Sequence, residues 1–381
     1  MNRVRRFPLE VFPQFCVLPA PAPQLVASVI IPARDEAANI TAALDALAAQ
    51  RDLNDNALDP ETFEILLLAN NCRDDTSTRA REWAARHRHV RLHVVEMRFD
   101  RARACVGLAR RALMNAACHR LQTLPPNTAP RAICSTDADT RVSPYWIAHT
   151  LEEMRLGAEA VGGRILLARD GSDAPTRRAY LLDTAYRLLR ARLESALDPR
   201  STDPWPRHFQ FFGASLAIRP ETYALIGGLP DVRCLEDMAL EAELVRRDCF
   251  VRRSPNVVAL TSARRNGRVE TGLSTQLQEW AEADEAWLVA SGAEIAARAR
   301  LKRRLRSQFL ALDTPDDPAP IAAELGMTAR ELKQRLATTT HFGELWQPVE
   351  RALEANTLWA PVAVGVALQQ LRAMLKSRVE K

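Results

Sequence analysis

The chain has 381 residues, of which 47% are hydrophobic and 26% are charged. This globular composition excludes wholesale disorder, and the length suits one large domain with an appendage or two domains. The formal net charge is +5, and nearly all basic residues are arginines that alternate with acidic residues along predicted helices. Nucleic-acid-binding proteins usually concentrate their basic residues in a stripe, so we predict a small anionic substrate and no nucleic-acid partner.

The cysteines and the apolar segments predict the compartment. Seven cysteines are scattered without any Cys-x-x-Cys pair, which favours free thiols in a reducing environment. The early arginines are not followed by an apolar segment before Pro8, so a secretory signal is not expected. No apolar run reaches the roughly 18 to 20 residues that cross a bilayer. We predict a cytoplasmic protein and leave open a peripheral contact with the inner face of the membrane.

The first third of the chain alternates predicted strands and helices. Residues 1–25, rich in proline, are expected to form an extended lead-in. Strands are predicted at 26–31, 63–68, 90–95 and 132–135, with helices at 40–47, after Asp75 and across 104–121. Such alternation predicts the α/β class: a Rossmann-like, mostly parallel sheet flanked by helices. Ligands of these sheets bind at the carboxyl ends of the strands.

In the remaining chain, strands become fewer and the predicted helices become longer. A helix begins near Pro144, a strand covers 161–167, and a long arginine-rich helix covers 175–197. A strand is then predicted at 209–219, followed by helices at 220–226 and 237–247. Beyond about residue 275 the sequence is helical almost throughout. These patterns predict one sheet-containing domain at 26–280 and a helical C-terminal region at 281–381.

A first pattern that could carry chemistry is the apolar strand 28–31, which ends at Pro32 and is followed by a predicted helix. Polar groups there lie beside helix amides that can hold an anion or a base edge. A second pattern is Asp137-Ala138-Asp139, directly after a buried strand. Two carboxylates at this spacing can bind a hard divalent cation that also binds phosphate oxygens. Taken alone, the first pattern is equally explained by acidic residues at a helix N-terminus. An isolated Asp-x-Asp is more commonly a solvated turn with an aspartate cap.

A third pattern is the pair Gly227-Gly228, followed by Glu236-Asp237 at the start of a helix. The glycines allow a tight bend. A carboxylate held after such a bend could act as a general base. Helix capping is again the alternative.

In this order and spacing, the three patterns resemble the family-2 glycosyltransferases of the GT-A fold, over roughly residues 26–275. The resemblance implies a GT-A type sheet flanked by helices. It also implies metal-dependent, inverting transfer of a sugar from a nucleotide-sugar donor to an acceptor hydroxyl. The Gln-x-x-Arg-Trp signature of processive synthases is absent, so transfer of one sugar per encounter is expected.

The resemblance also implies roles for single residues. Asp237 matches the catalytic base, and Asp137 and Asp139 match the carboxylates that bind the ribose and a Mn or Mg ion on the diphosphate. The remaining residues assigned to the nucleotide-sugar site are Pro32, Ala33, Glu36, Asn70, Asn71, Gly213, Glu236, Arg264 and Arg268. For the last two arginines the reason is the guanidinium fork, which suits diphosphate oxygens.

The chain departs from the family pattern after the second strand. The family carries Asp-Asp-Gly-Ser there, whereas this chain has Ala69-Asn70-Asn71-Cys72. The acid expected to contact the base is therefore an alanine, and Asn70 or Asn71 could bond the base edge instead. The nucleotide stays open, as do the sugar, the oligomeric state and the acceptor, which could be a glycan, a lipid-linked molecule or a small molecule.

Two other functions are compatible with part of this pattern. A sugar-phosphate nucleotidyltransferase would share the sheet architecture, but it carries a glycine-rich basic loop after the first strand, and residues 32–36 lack one. A catalytically silent relative that binds a nucleotide or a protein partner is the other alternative, against which the intact acids Asp137, Asp139 and Asp237 argue. The C-terminal helices could cap the catalytic domain, form a dimer contact or dock on a membrane.

Overall fold

The structure is a computed structural model that describes residues 9–100, 103–126, 128–169, 173–264, 272–282, 287–310, 317–355 and 359–379. The chain divides into two compact units. We call the first the sheet unit; it comprises Met1–Asp173, Gln210–Ala242 and Phe250–Gln278. The second, the helical unit, comprises Ala174–Phe209, Glu243–Cys249 and Glu279–Lys381.

An eight-stranded sheet organises the sheet unit. Its strands are β1 (Ala27–Ala33), β2 (Phe63–Asn70), β3 (Leu92–Met97), β4 (Ala132–Thr136), β5 (Thr140–Val142), β6 (Ala160–Leu167), β7 (Ser215–Ile218) and β8 (Val251–Thr261). Their order is β3-β2-β1-β4-β7-β6-β8-β5. The strands β3, β2, β1 and β4 run parallel, as do β6 and β8. Only β7 and β5 pair antiparallel with their neighbours, so the prediction of a mostly parallel sheet is confirmed.

Helices flank the sheet within the sheet unit and make up most of the helical unit. They are α1 (Pro13–Cys16), α2 (Ile40–Ala48), α3 (Thr76–Arg86), α4 (Val106–Gln122), α5 (Trp146–Arg155), α6 (Ala174–Leu197), α7 (Pro220–Leu225), α8 (Glu236–Arg246), α9 (Leu273–Glu282), α10 (Gly292–Leu310), α11 (Ala319–Glu324), α12 (Ala329–Thr338), α13 (Phe342–Ala355) and α14 (Val364–Val379). Two short strands, β9 (Leu288–Val289) and β10 (Val362–Ala363), pair antiparallel in the helical unit.

The apolar runs seen in the sequence become the centre of the sheet. Every residue of β1, β2 and β4 is buried, as expected for parallel strands covered on both faces. On one face Ile31 and Leu67 pack with Leu44 of α2 and Trp83 of α3. The helix α4 packs on β1 and β2. This packing fixes where the strands end, and therefore where the polar residues that follow them lie.

Two details of the sheet differ from the expectation. The strand predicted at 209–219 is wrong in length, because only Ser215–Ile218 pairs in the sheet. Residues before it form a turn in which the Ser215 N–H donates to the Phe212 carbonyl, while the Gln210 side chain bonds the backbone of Ile165. The sequence pattern does not predict the short strand β5. This strand follows Asp139 directly and pairs with β8. This pairing brings the end of β8 next to the acidic turn.

The helical unit has its own apolar core, which confirms the predicted helical C-terminal region. Leu193 of α6, Ala299 of α10 and Leu371 of α14 belong to one buried cluster. Leu305 of α10 and Trp346 of α13 belong to another. Within the described ranges, we find no helix that combines the length and the apolar character needed to cross a membrane.

Candidate active site

Polar residues collect where β1, β2 and β4 end. In the sheet Ala33 pairs with Ala69, and Ile30 pairs with Ser135, so the three carboxyl ends lie side by side. Pro32 and Ala33 are the last residues of β1 and are buried there. The sheet therefore places the backbone of Pro32 and Ala33 near the turn Asp137–Asp139.

Glu36, Asp139 and Arg264 form the first charged cluster at this edge. The guanidinium of Arg264, just after β8, donates to both carboxylate oxygens of Glu36, with Nη1 2.8 Å from Oε2. Its Nη2 also lies 3.0 Å from Asp139 Oδ2. Burial, together with the charge of Asp137, raises the pKa of Asp139 to about 6 despite the opposing effect of Arg264. Negative charge thus exceeds what one arginine neutralises at this point.

The turn that carries Glu36 is braced by the loop after β2. Asp35 has a positive φ of 54°, and its carboxylate accepts the N–H of Arg73. Asp74 accepts the N–H of Ala37, and Thr76 Oγ1 accepts the N–H of Glu36. Ligand atoms of Asp35, Asp74 and the neighbouring Cys72 lie within 4.8 Å of one another. Because both carboxylates bond backbone amides, we interpret this group as a brace that holds the two loops together.

The two asparagines at the end of β2 differ in their contacts. Asn71, with a positive φ of 53°, uses both atoms of its side-chain amide on the backbone of Phe99. Asn70 is 3% exposed, and its Nδ2 donates to the Cys105 carbonyl at 3.3 Å. Its Oδ1 has no hydrogen-bond partner among the described residues. Asn70 therefore keeps an unpartnered acceptor at the end of β2, whereas the side chain of Asn71 is used within the loop. Ala69 is buried in the core.

Arg110 of α4 is the centre of a second charged cluster, and sequence reasoning missed it. This arginine is 3% exposed. Its Nη2 donates to Asp137 Oδ1 at 2.8 Å, and its Nε donates to Glu236 Oε1 at 2.9 Å. Its Nη1 donates to the Gly213 carbonyl and to the Ser135 hydroxyl. Burial alone would lower its pKa, but Asp137 and Glu236 outweigh that effect and raise it, so the guanidinium stays charged.

Asp237 lies at the start of α8, next to this cluster. Its Oδ2 accepts the N–H of Gly213 at 2.9 Å, and its Oδ1 accepts the N–H of Met238 at 2.8 Å. Burial and the charge of Glu236 raise the pKa of Asp237, while the bond from Gly213 acts in the opposite direction. A half-buried carboxylate with a raised pKa is a better proton acceptor than an ordinary aspartate, which suits it to the role of a general base.

The structure brings most of the predicted site residues into these two clusters. Asp137 belongs to the cluster around Arg110, and Asp139, two residues further on, belongs to the cluster around Arg264. Arg268 lies outside the described residues. The acids in the two clusters are Glu36, Asp137, Asp139, Glu236 and Asp237, and the guanidiniums that contact them belong to Arg110 and Arg264. Carboxylate oxygens of this kind are the ligands that a hard divalent cation prefers.

Comparison with known proteins identifies the class. Residues 28–212 match the family model described as Glycosyl transferase family 2. This match identifies residues 28–212 as a glycosyl transferase family 2 domain of a nucleotide-sugar glycosyltransferase, which confirms the resemblance seen in the sequence. The mostly parallel sheet flanked by helices is the arrangement that the resemblance implied. A sequence search of curated proteins gave no match.

Several solved structures are similar in outline. The mannosyltransferase PcManGT from Pyrobaculum calidifontis, in complex with GDP-Man and Mn²⁺, is 17% identical; the match covers 96% of this chain and 84% of that chain with a TM-score of 0.42. S. aureus TarS 1–349 in complex with UDP is 12% identical over 87% and 92%, with a TM-score of 0.43. Glucosyl-3-phosphoglycerate synthase from Mycobacterium tuberculosis, with Mn²⁺, UDP-glucose and phosphoglyceric acid, is 17% identical over 70% and 84%, with a TM-score of 0.38.

Proposed function

We propose that the protein is a metal-dependent, inverting glycosyltransferase that moves one sugar per encounter from a nucleoside-diphosphate sugar to an acceptor hydroxyl. The observation that carries the proposal is the hydrogen-bonded group in which Arg110 joins Asp137 to Glu236 and to the backbone that holds Asp237. The donor carboxylate of Asp137 and the base are thus parts of one group. We assign this activity to residues 26–280, with 281–381 as a helical appendage.

In the proposed reaction Asp237 accepts the proton of the acceptor hydroxyl. The oxygen then attacks the anomeric carbon from the face opposite the diphosphate, a bond forms there, and the bond to the diphosphate oxygen breaks with its electron pair. A single displacement of this kind inverts the anomeric centre. A divalent ion held by Asp137 and Asp139 would neutralise charge on the departing nucleoside diphosphate.

Arg264 and Glu36 are assigned to the donor side of the site. Arg264 bonds Glu36 and Asp139, and a guanidinium fork of this kind also suits diphosphate oxygens. We propose that, when the donor and its metal bind, the guanidinium of Arg264 leaves the carboxylate of Asp139 and bonds the diphosphate oxygens instead. Arg268 is retained as a second candidate for the same clamp.

The nucleotide base is assigned to the ends of β1 and β2, beside Pro32, Ala33 and Asn70. The unpartnered Oδ1 of Asn70 favours it over Asn71 as the group that meets the base. We propose a cytoplasmic enzyme. Its acceptor could be a glycan, a lipid-linked molecule or a small molecule, and the last helices would supply any contact with the inner face of the membrane.

The experiment that tests the proposal is thermal-shift screening against UDP, GDP, TDP and CDP sugars, with and without Mn²⁺. A ligand that binds only the folded state raises its apparent stability. We expect metal-dependent stabilisation by one donor and its loss in the Asp139→Ala variant. Equal stabilisation of Asp139→Ala, or none by any donor, would contradict the proposed site.

A further inference from the structure

We propose that Arg110 is a positioning residue that sets the geometry between the donor carboxylate Asp137 and the base Asp237. The inference rests on the proposed function, because it assigns a role within the same site. Arg110 acts through its neighbours, since it bonds Asp137, Glu236 and the Gly213 carbonyl.

The contacts of Arg110 join segments that are far apart in the chain. From the buried helix α4, its side chain reaches the end of β4, the turn before β7 and the first residue of α8. Each nitrogen of the guanidinium has its own acceptor among these segments. The planar fork therefore fixes three segments relative to one rigid group.

Gly213 transmits this geometry to the base. Its carbonyl accepts from Arg110, and its N–H donates to the carboxylate of Asp237. A Cβ added to Gly213 would lie 2.5 Å from both Cζ and Nη2 of Arg110, so the backbone rests directly on the guanidinium. Gly213 does not have a positive φ, so its backbone conformation is open to residues other than glycine. A side chain at this position is excluded by the arginine and not by backbone strain.

The primary test is Arg110→Lys, with Arg120→Lys as the matched control. Arg120 lies on the same helix, is 6% exposed, and bonds the buried Glu64 through Nε and Nη2 at 2.9 and 2.6 Å. Both variants keep the charge and lose the fork, so both should melt at a lower temperature than the wild type. Below that temperature we expect kcat of Arg110→Lys, with the donor found by screening, to fall about 100-fold, because small misplacements of reacting groups cost that much. Arg120→Lys should stay within a few-fold of the wild type.

Gly213→Ala is a second test that keeps Arg110 and displaces it. We expect a similar fall in kcat. The lost bond from Gly213 should also raise the pKa of Asp237, which faces the charges of Glu236 and Arg110, so the acid limb of the rate profile should move to higher pH. In Arg110→Lys the slimmer side chain leaves room for the new methyl group. The double variant should therefore be no slower than either single variant, as expected for residues that act as one unit.

Three outcomes would overturn the positioning role. They are a folded Arg110→Lys as active as Arg120→Lys, an unchanged pH limb in Gly213→Ala, and strictly additive losses in the double variant. Failure of the proposed function gives a different result, because the wild type itself would then transfer no sugar from any donor.

Discussion

Replacing Arg264 by glutamine should tighten the binding of Mn²⁺ to the donor-free protein. The guanidinium of Arg264 is a resident cation that contacts Asp139 and Glu36. A metal ion that binds Asp139 must displace that contact or share the carboxylate with it. The shorter, neutral glutamine removes this competition.

The size of the effect follows from the contact that must break. Arg264 Nη2 lies 3.0 Å from Asp139 Oδ2, and the two side chains are 28% and 14% exposed. A charge-assisted hydrogen bond in such a partly buried pair contributes about 1.5 kcal/mol, between the values for exposed and fully buried pairs. Since about 1.4 kcal/mol corresponds to a tenfold change in affinity, Mn²⁺ should bind Arg264→Gln roughly tenfold more tightly.

The assay is titration with Mn²⁺ alone, followed by the electron paramagnetic resonance signal of the free ion. It should be run near pH 8, because loss of Arg264 raises the pKa of Asp139 further and protons would otherwise compete. Arg253→Gln is the control, since Arg253 lies on β8 and pairs with Glu241. If Arg264→Gln binds Mn²⁺ no more tightly than wild type and Arg253→Gln, Arg264 does not compete for the metal carboxylate.

Three further predictions concern stability. Asp139→Asn should raise the melting temperature of the metal-free protein near pH 7.5 and much less near pH 5. The folded-state pKa of Asp139, about 6, exceeds the ordinary value of 3.8, so this group lowers the stability of the folded protein as the pH rises from 3.8 through 6. Calorimetry in the presence of a chelator checks this. Arg120→Leu should cost about 3 kcal/mol in urea unfolding, because the buried Glu64 loses its guanidinium and keeps only the Ser28 hydroxyl and the His93 imidazole beside it. The double variant with Glu64→Leu should recover most of this loss, whereas equal losses would refute the charge argument. Gly343→Ala should destabilise the protein by at least 2 kcal/mol, since its Cβ would lie 1.8 Å from the Val245 carbonyl oxygen; limited proteolysis of this variant should cut faster than wild type.

Local sequence determined the strands that form the centre of the sheet. The apolar runs of β1, β2 and β4 could be identified because a buried parallel strand needs apolar residues on both faces. The acids after β4 could be identified for a related reason. Carboxylates that follow a buried strand directly must lie at its exposed end, so Asp137 and Asp139 were placed without knowledge of their partners.

Tertiary structure alone added Arg110 to the site and decided which groups its arginines bond. In the sequence Arg110 is one helical arginine among dozens, and its acceptors at 137, 213 and 236 are 27, 103 and 126 residues away. The sequence did predict Arg264 as a site residue, but it did not identify its partner Glu36, which lies 228 residues away. Helical periodicity reports which face of a helix is buried, but it carries no information about which distant group receives a buried charge. That choice depends on the pairing of strands and the packing of helices, which bring the segments together only in the folded chain.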